Sequence, residues 1–526
     1  MRLFSFPRVS QTILVVWGTV LIIALILRIL PQPRTVDDAF ITFRYSRNLV
    51  NGDGFVYNLG SRVLGTTTPL YTFIIAICSV IFGNNNHQWY ALFINAFADT
   101  ASTFLLMTIA RRFTQSVWVS VLVGLLWAIL PFSVTFAIGG METSIHNLWM
   151  IAAWSAYLLG WPRGWLGAFV ALGILTRPDA VIWAAPLLLH QLYTSWRDRS
   201  AFNWRQLPYQ EYLVGLLMGL PWTIFAAVYF GSPIPHTVGT KAAVYQVDSW
   251  QAFVRLLQHY ATLFHQHELL GALVGVGIGI ILFPTLSIIG SLNVLRVDRR
   301  SLPLVIYPWL YFVIFSALNP LIFRWYLTPP LPAYLLTVIL GGNAVLSSLP
   351  LTLPQKRWIG AGLAILACLL VMNAWQLRPD HGPKTPAPRM AFHELELNYA
   401  TMAKRLVREH NVDQNTLVAI GDIGAFGYYS NARILDTVGL VTKGLEQYYL
   451  SEQQEQIIVD GANYAIPPDL IFDYQPQYIV TMADFVTQGL LQDPRFAEQY
   501  DPIPLYTIKT DYYGGAMWVF ARRTSE

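Results

Sequence analysis

Long apolar runs, separated by short loops that carry Arg and Lys, fill the chain as far as Trp375. The first run, Thr12 to Leu30, has about the twenty apolar residues needed to cross a bilayer. It is longer than the apolar part of a usual signal peptide and has no small-residue cleavage site before Pro31, so it reads as an uncleaved first span. Further runs fall near His87–Ala110, Val117–Ile138, Ser144–Leu159, Trp165–Thr176, Ala180–Leu192, Glu211–Phe230, Leu269–Leu292, Leu302–Leu318, Pro329–Ser348 and Ile359–Trp375. Thr66–Phe82 is apolar too, and alone it fits either a span or a helix lying on the membrane surface.

The basic residues arbitrate. Arg111-Arg112, Arg163, Arg197 with Arg199, Arg296 with Arg299-Arg300, and Lys356-Arg357 sit in short loops at the ends of runs. Basic loops favour the cytoplasmic side. The spans alternate cleanly only if Thr66–Phe82 stays on the outer surface, which predicts about eleven spans with the N-terminus cytoplasmic and the end of the last span outside. The pattern therefore predicts an α-helical polytopic protein of the plasma membrane over residues 1–377, with an extracytoplasmic first loop at 32–86.

After Arg378 the pattern changes. Pro379, Pro383, Pro386 and Pro388 mark a linker, Met390–His410 has a helical pattern, and Asn415–Ile420, Tyr478–Met482 and Ala516–Ala521 read as strands. Residues 378–526 are thus expected to form a soluble extracytoplasmic α/β domain, of ordinary domain size. No internal repeat of solenoid period is visible.

Composition sharpens the class. The 526 residues are 54% hydrophobic and 12% charged, about half the charge of a soluble domain. The formal charge of +4 gives no ground for a nucleic-acid partner. Cys78 and Cys368 both lie in apolar runs and read as small buried hydrophobes. Walker A and H-E-x-x-H motifs are absent, His265-Gln266-His267-Glu268 has poor spacing for a metal, and Gly421-Asp422-Ile423-Gly424-Ala425-Phe426-Gly427 reads as a tight strand-to-helix turn.

Candidate chemistry collects in five outer segments: Asp37–Thr68, Gly139–Thr143, Thr176–Asp179, Ser232–Glu268 and Asn319–Tyr326. Asp37 and Asp38 follow the first span directly, and ionisable residues beside hydrocarbon are functional candidates by default. Thr35 with Asp38 resembles a short-chain capping box, so Asp38 has a structural alternative. On a helix, Asp37, Ile41, Arg44 and Asn48 share a face, and Asp37 is favoured for chemistry. Glu142 could simply favour a helix N-terminus, Arg177–Asp179 a local ion pair, Lys241 a snorkelling lysine, and Arg324 a headgroup anchor; a guanidinium also suits a phosphate. Charges gathered at one face, without repeats, argue against the main alternative, a secondary transporter of a small solute or lipid-linked saccharide.

Taken in order, Asp37-Asp38-Ala39-Phe40-Ile41-Thr42-Phe43-Arg44, Gly52-Asp53-Gly54-Phe55-Val56-Tyr57-Asn58, Gly65-Thr66-Thr67-Thr68-Pro69-Leu70, Gly140-Met141-Glu142-Thr143, Thr176-Arg177-Pro178-Asp179, Pro235-His236-Thr237, Arg324-Trp325-Tyr326 and Gly421-Asp422-Ile423-Gly424-Ala425 resemble the GT-C superfamily of polyprenyl-phosphate-sugar-dependent glycosyltransferases. The branch with the mycobacterial terminal arabinofuranosyltransferases is the most similar, although His236 stands where Asn is expected. The resemblance implies an inverting transfer of arabinofuranose, mannose or another sugar from a polyprenyl phosphate to a glycan, lipid or protein hydroxyl. It implies catalysis by Asp37 and Asp38, donor binding by Arg44, Lys241, Arg324, Tyr326 and His236, and sugar or acceptor binding by Glu142, Arg177, Asp179 and Thr67. No metal ligands and no certain cofactor are implied, with a divalent cation left open.

Overall fold

The computed structural model describes residues 11–162, 164–197, 208–245, 247–265, 271–373, 375, 391–449, 464–503, 506–509 and 515–523. Arg163, Arg199, the linker prolines, His267 and Glu268 lie outside the described residues.

The membrane half is built from α1 (Gln11–Ile29), α2 (Ala39–Asn51), α3 (Pro69–Phe82), α4 (His87–Thr114), α5 (Val117–Ile129), α6 (Pro131–Ile138), α7 (Thr143–Leu159), α8 (Gly164–Thr176) and α9 (Val181–Arg197). It continues with α10 (Tyr209–Phe230), α11 (Thr237–Val244), α12 (Gln251–Ala261), α13 (Ala272–Val297), α14 (Leu302–Leu318), α15 (Leu331–Ser348) and α16 (Leu353–Asn373). Among the described residues, six helices are long and apolar enough to cross a membrane. The count becomes seven if α5 and α6, bent by 48°, form one span. Pro131 explains the bend, because it disfavours a helical Leu130 and opens a new helix at its own first position.

The expected eleven spans therefore exceed what length and composition support. The shortfall of four sits in α1, whose apolar part is Ile13–Ile29, and in α7, α8 and α9, which have 17, 13 and 17 residues. Thirteen helical residues rise roughly 20 Å, short of a core of about 30 Å. At 14 residues, α3 is likewise too short to cross.

A buried ion pair fixes the end of this bundle where α1 finishes. Arg28 Nε donates to Asp99 Oδ2 at 2.9 Å, and its other nitrogens donate to the Ala24 and Ala128 carbonyls and to Ser133 Oγ. Ser144 Oγ donates to the same Asp99 oxygen, so α1, α4, α6 and α7 meet at one point. Beyond α1, the chain runs beside the α6–α7 turn, with Arg34 N bonded to Ile138 O and Val36 N to Gly139 O. These bonds place Asp37 and Asp38 next to Glu142.

The C-terminal residues form α17 (Ala391–His410), α18 (Gly424–Ser430) and a six-stranded sheet. Its strands are β1 (Leu417–Ile420), β2 (Arg433–Asp436), β3 (Tyr478–Met482), β4 (Tyr500–Pro502), β5 (Ile508–Lys509) and β6 (Ala516–Arg522). The order is β2-β1-β3-β6-β4, with β5 also on β6; β1 is parallel to β2 and β3, and β6 is antiparallel to β3. One buried apolar cluster runs from Val36, Phe40 and Phe43 through the sheet to Phe520, so α2 and the C-terminal residues share a core.

Polar contacts reinforce that core. Asn58 donates to the Ile434 carbonyl and accepts from the Ile434 amide, capping the edge of β2. Arg44 Nη2 donates to Ala432 O, and Arg47 donates to Tyr428 O and Asn431 Oδ1.

Removing one partner of a buried pair strands the other charge, which costs about 3–5 kcal/mol. We expect Asp99→Ala to lower the thermal unfolding temperature of the detergent-purified protein accordingly, and Asp99→Asn, which keeps an acceptor for Arg28, to lower it less.

Candidate active site at the junction of the two halves

Three of the five segments, Asp37–Thr68, Ser232–Glu268 and Asn319–Tyr326, line a narrow cavity of about 50 Å³. The membrane half contributes Asp37, Asp38, Lys241, Tyr245, Phe323 and Trp325. The C-terminal residues contribute Asp422, from the turn after β1, together with Tyr464 and Phe485.

Asp37 is buried, and both its oxygens are engaged. Oδ2 accepts from the Gly424 amide at 2.8 Å and Oδ1 from the Ala425 amide at 2.7 Å. The turn can approach this closely only because residue 424 is glycine: a Cβ there would lie 1.8 Å from the Asp37 carbonyl oxygen. At Gly427, one helical turn on, a Cβ would meet the Tyr57 hydroxyl at 2.0 Å. Tyr57 in turn donates to Ile423 O.

Asp38 occupies the N-cap of α2 but makes no capping bond, and the helix begins at Ala39. The expected capping box from Thr35 is therefore not formed, and Asp37 precedes the helix rather than sharing its face. Burial raises the Asp38 pKa and the Lys241 charge pulls it back. Burial also raises Asp37 well above the usual carboxylate range, helped by the charge of Asp422, with the two amides opposing. Asp422 is pushed up to about 6 by burial; the Tyr399 hydroxyl, donating to its Oδ2 at 2.8 Å, lowers it and the Asp38 charge raises it. Three carboxyl groups facing one lysine disfavour one another's charge, so their titrations are linked.

Beside this cavity lies a second charged cluster. Arg177 donates to Asp179 through two nitrogens, at 2.9 and 3.0 Å, and to Glu142 Oε1 at 3.2 Å. Its guanidinium sits 5.2 Å from the Tyr326 ring centroid. Burial raises Glu142, with Arg177 opposing it; at Asp179 the same arginine outweighs burial and holds the carboxyl below its usual range. Arg177–Asp179 is thus a local ion pair extended to Glu142, and its positive charge is already matched by two carboxyl groups.

The other expected site residues are dispersed. Arg44 is turned away from the cavity, stacked 4.2 Å over Tyr57 and bonded to Ala432 O. His236 Nε2 lies 3.5 Å from Glu446 Oε1, which also accepts from Thr240. Arg324 lies between two cavity residues, Phe323 and Trp325, with its guanidinium 6.0 Å from the Phe132 ring centroid. Thr67 lines a separate apolar groove of about 450 Å³ between α8 and α10, which ends at Pro178 and Pro235, one residue from Arg177 and Asp179 and from His236. Among the described residues, no group of three or more His, Cys, Asp or Glu side chains is arranged to hold a metal ion. Local sequence pattern did not reveal Asp422, Tyr464 or Phe485 as site residues; only the spacing of glycines around Asp422 hinted at a close contact.

Comparison with known proteins agrees with this picture. Residues 66–225 match a family model described as dolichyl-phosphate-mannose-protein mannosyltransferase, and residues 390–523 match one described as a domain of unknown function. A terminal β-(1→2)-arabinofuranosyltransferase of Mycobacterium tuberculosis is 27% identical over 233 residues, covering 41% of this chain and 35% of that protein. The chain thus spans about a third of the length of the curated relatives it matches. ArnT from Cupriavidus metallidurans, solved with bound undecaprenyl phosphate, superposes with a TM-score of 0.56 at 14% identity, covering 98% of this chain and 99% of that one. The oligosaccharyltransferase AglB of Archaeoglobus fulgidus, in complex with an inhibitory peptide and a dolichol-phosphate, gives 0.56 at 13% identity, covering 98% and 74%. These matches bear out the resemblance to the GT-C superfamily, in sequence over residues 66–225 and in fold over nearly the whole chain.

The raised Asp422 pKa makes a stability prediction. A carboxyl whose folded pKa lies above its unfolded value near 3.8 favours folding at low pH, and that contribution is lost as pH rises through about 6. Asp422→Asn mimics the protonated side chain. It should therefore stabilise the protein at pH 8, by about 1–3 kcal/mol, by roughly half as much at pH 5, and change little only below the unfolded value, near pH 3, as read by thermal unfolding.

Proposed function

We propose that the protein is an inverting glycosyltransferase that moves a sugar from a polyprenyl-phosphate donor to an acceptor hydroxyl on the extracytoplasmic face. The observation that carries this reading is the carboxyl-lined cavity at the outer end of the membrane half, beside an apolar groove that suits a polyprenyl tail. We also take the shorter apolar helices as crossing the membrane, giving eleven spans, a cytoplasmic N-terminus and an extracytoplasmic C-terminal domain, because this puts the basic loops on one side.

The chemistry needs little. A phosphate is already a good leaving group, so no general acid is required, and a base and a cation suffice. Asp37 takes the proton of the acceptor hydroxyl as that oxygen attacks the anomeric carbon. The bond from that carbon to the phosphate oxygen breaks, and polyprenyl phosphate leaves. Two amides orient Asp37, and each oxygen keeps a lone pair for the acceptor. A raised pKa strengthens the base. Asp38 holds Lys241 near the cavity, and Lys241 with Arg324 receives the phosphate at its edge. Arg44 is left out of the donor set because its guanidinium is buried over Tyr57, bonded to Ala432 O, and does not line the cavity.

The sugar and the acceptor are open within this class. The partial identity to an arabinofuranosyltransferase makes polyprenyl-phosphate arabinofuranose the first donor to try, followed by the mannose donor.

The test is donor consumption by the purified protein with octyl arabinofuranoside and octyl mannoside acceptors. Asp37→Asn should cut turnover by about 100- to 10,000-fold. Asp38→Asn should retain more activity and raise the donor KM. A dead Asp38→Asn beside an active Asp37→Asn would exchange the two roles; a wild type that consumes neither donor nor any other polyprenyl-phosphate sugar would overturn the proposal.

A further inference from the structure

The cavity is walled from two sides by parts of the chain that are far apart in sequence, and the C-terminal wall carries chemistry of its own. Asp422 Oδ2 is held by the Tyr399 hydroxyl of α17. Its other oxygen makes no hydrogen bond among the described residues and is left to the cavity. Around it stand two stacked aromatic pairs: Tyr464 and Phe485 at 4.6 Å from the C-terminal residues, and Phe323 and Trp325 at 4.8 Å from the membrane half. A carboxyl group among aromatic faces is the chemistry that recognises a sugar, whose hydroxyls donate to the carboxylate while its C–H faces pack on the rings.

Size and charge decide which substrate this is. A cavity of about 50 Å³ has room for about three or four waters, hence for two neighbouring hydroxyls in their place. Asp37, Asp38 and Asp422 repel a phosphate, whereas a neutral hydroxyl is welcome as a donor. The acceptor fits these walls; the donor phosphate does not.

We infer that Asp422 is an acceptor-binding residue, receiving a hydroxyl of the incoming sugar adjacent to the one that faces Asp37, so that acceptor recognition belongs to the C-terminal half. This rests on the transfer reading above. In the reaction Asp422 gains and loses no covalent bond. It accepts a hydrogen bond from a hydroxyl next to the reactive one, which turns the reactive oxygen towards the anomeric carbon, while the single proton of the reactive hydroxyl passes to Asp37.

Two variants test it in the full-length protein, with the donor the wild type consumes and with octyl arabinofuranoside and octyl mannoside as acceptors. Asp422→Asn keeps the size of the side chain; Tyr399→Phe removes only the hydroxyl that orients it. Loss of a hydrogen bond to a charged group predicts an acceptor KM about tenfold higher in Asp422→Asn, and a smaller rise in Tyr399→Phe. Donor KM should stay at the wild-type value in both. The wild-type acceptor KM should also rise as pH falls through the region where Asp422 protonates, and this dependence should flatten in Asp422→Asn. The groups facing Asp422 here are Asp37, Asp38 and Lys241 of the membrane half, Tyr399 of α17, and the phenols of Tyr245 and Tyr464. Thermal unfolding that matches or exceeds the wild type at pH 8 shows that the variant is folded. An unchanged acceptor KM in Asp422→Asn, or a loss confined to turnover, overturns the inference while the transfer reading stands. A wild type that uses no donor overturns both.

Discussion

Two hydrogen bonds from the Gly424 and Ala425 amides to the Asp37 carboxylate join the first loop after the membrane to the turn that follows β1. Most of the architecture around the cavity depends on this contact. It sets the distance of Asp422 from Asp37 and Asp38, and it requires glycine at 424. Tyr57, Arg44 and Asn58 extend the contact along α18 and β2, so the C-terminal residues are bound through a continuous strip of buried polar groups over a shared apolar core. The bonds from Asp37, Tyr57, Arg44 and Asn58 all have backbone partners on the C-terminal side, so the docking constrains that backbone directly and, at Gly424 and Gly427, excludes a side chain.

The same contact explains the electrostatics. Burying three carboxyl groups together is unfavourable unless protons are kept or a cation is near, and Lys241 is the cation at hand for Asp38. Arg177 does not relieve the cavity, since Glu142 and Asp179 already neutralise it. A phosphate therefore gains most at the edge of the cavity, by Lys241 and Arg324, and a neutral hydroxyl gains most inside. This separation of charge gives the proposed transfer its direction: the leaving phosphate stays near the membrane and the acceptor comes from the C-terminal side.

Some of this was legible in the chain. The apolar runs located the long helices, and the runs at 417, 478 and 516 coincide with β1, β3 and β6 because short buried strands read as continuous apolar stretches. The span count rests on the basic loops, because α1, α7, α8 and α9 are apolar but fall below the length that by itself marks a crossing. Arg28 and Asp99 went unnoticed because each stands alone in an apolar run, 71 residues from the other. The site was half visible. Asp37, Asp38 and Lys241 share one cavity, whereas Arg44 has a partner 388 residues away that no local pattern could indicate. Asp422 was hidden for the same reason, its significance arising only when the turn meets Asp37.

The central claim is that the Asp37 carboxylate fastens the C-terminal half onto the site. Hydrogen–deuterium exchange, followed by mass spectrometry on the full-length protein, tests it most directly. Wild-type Gly424 and Ala425 amides should be strongly protected, and Asp37→Ala should make them exchange rapidly while the amides of β1 and β3 keep their protection. Unchanged protection at 424 and 425 in Asp37→Ala would contradict the account.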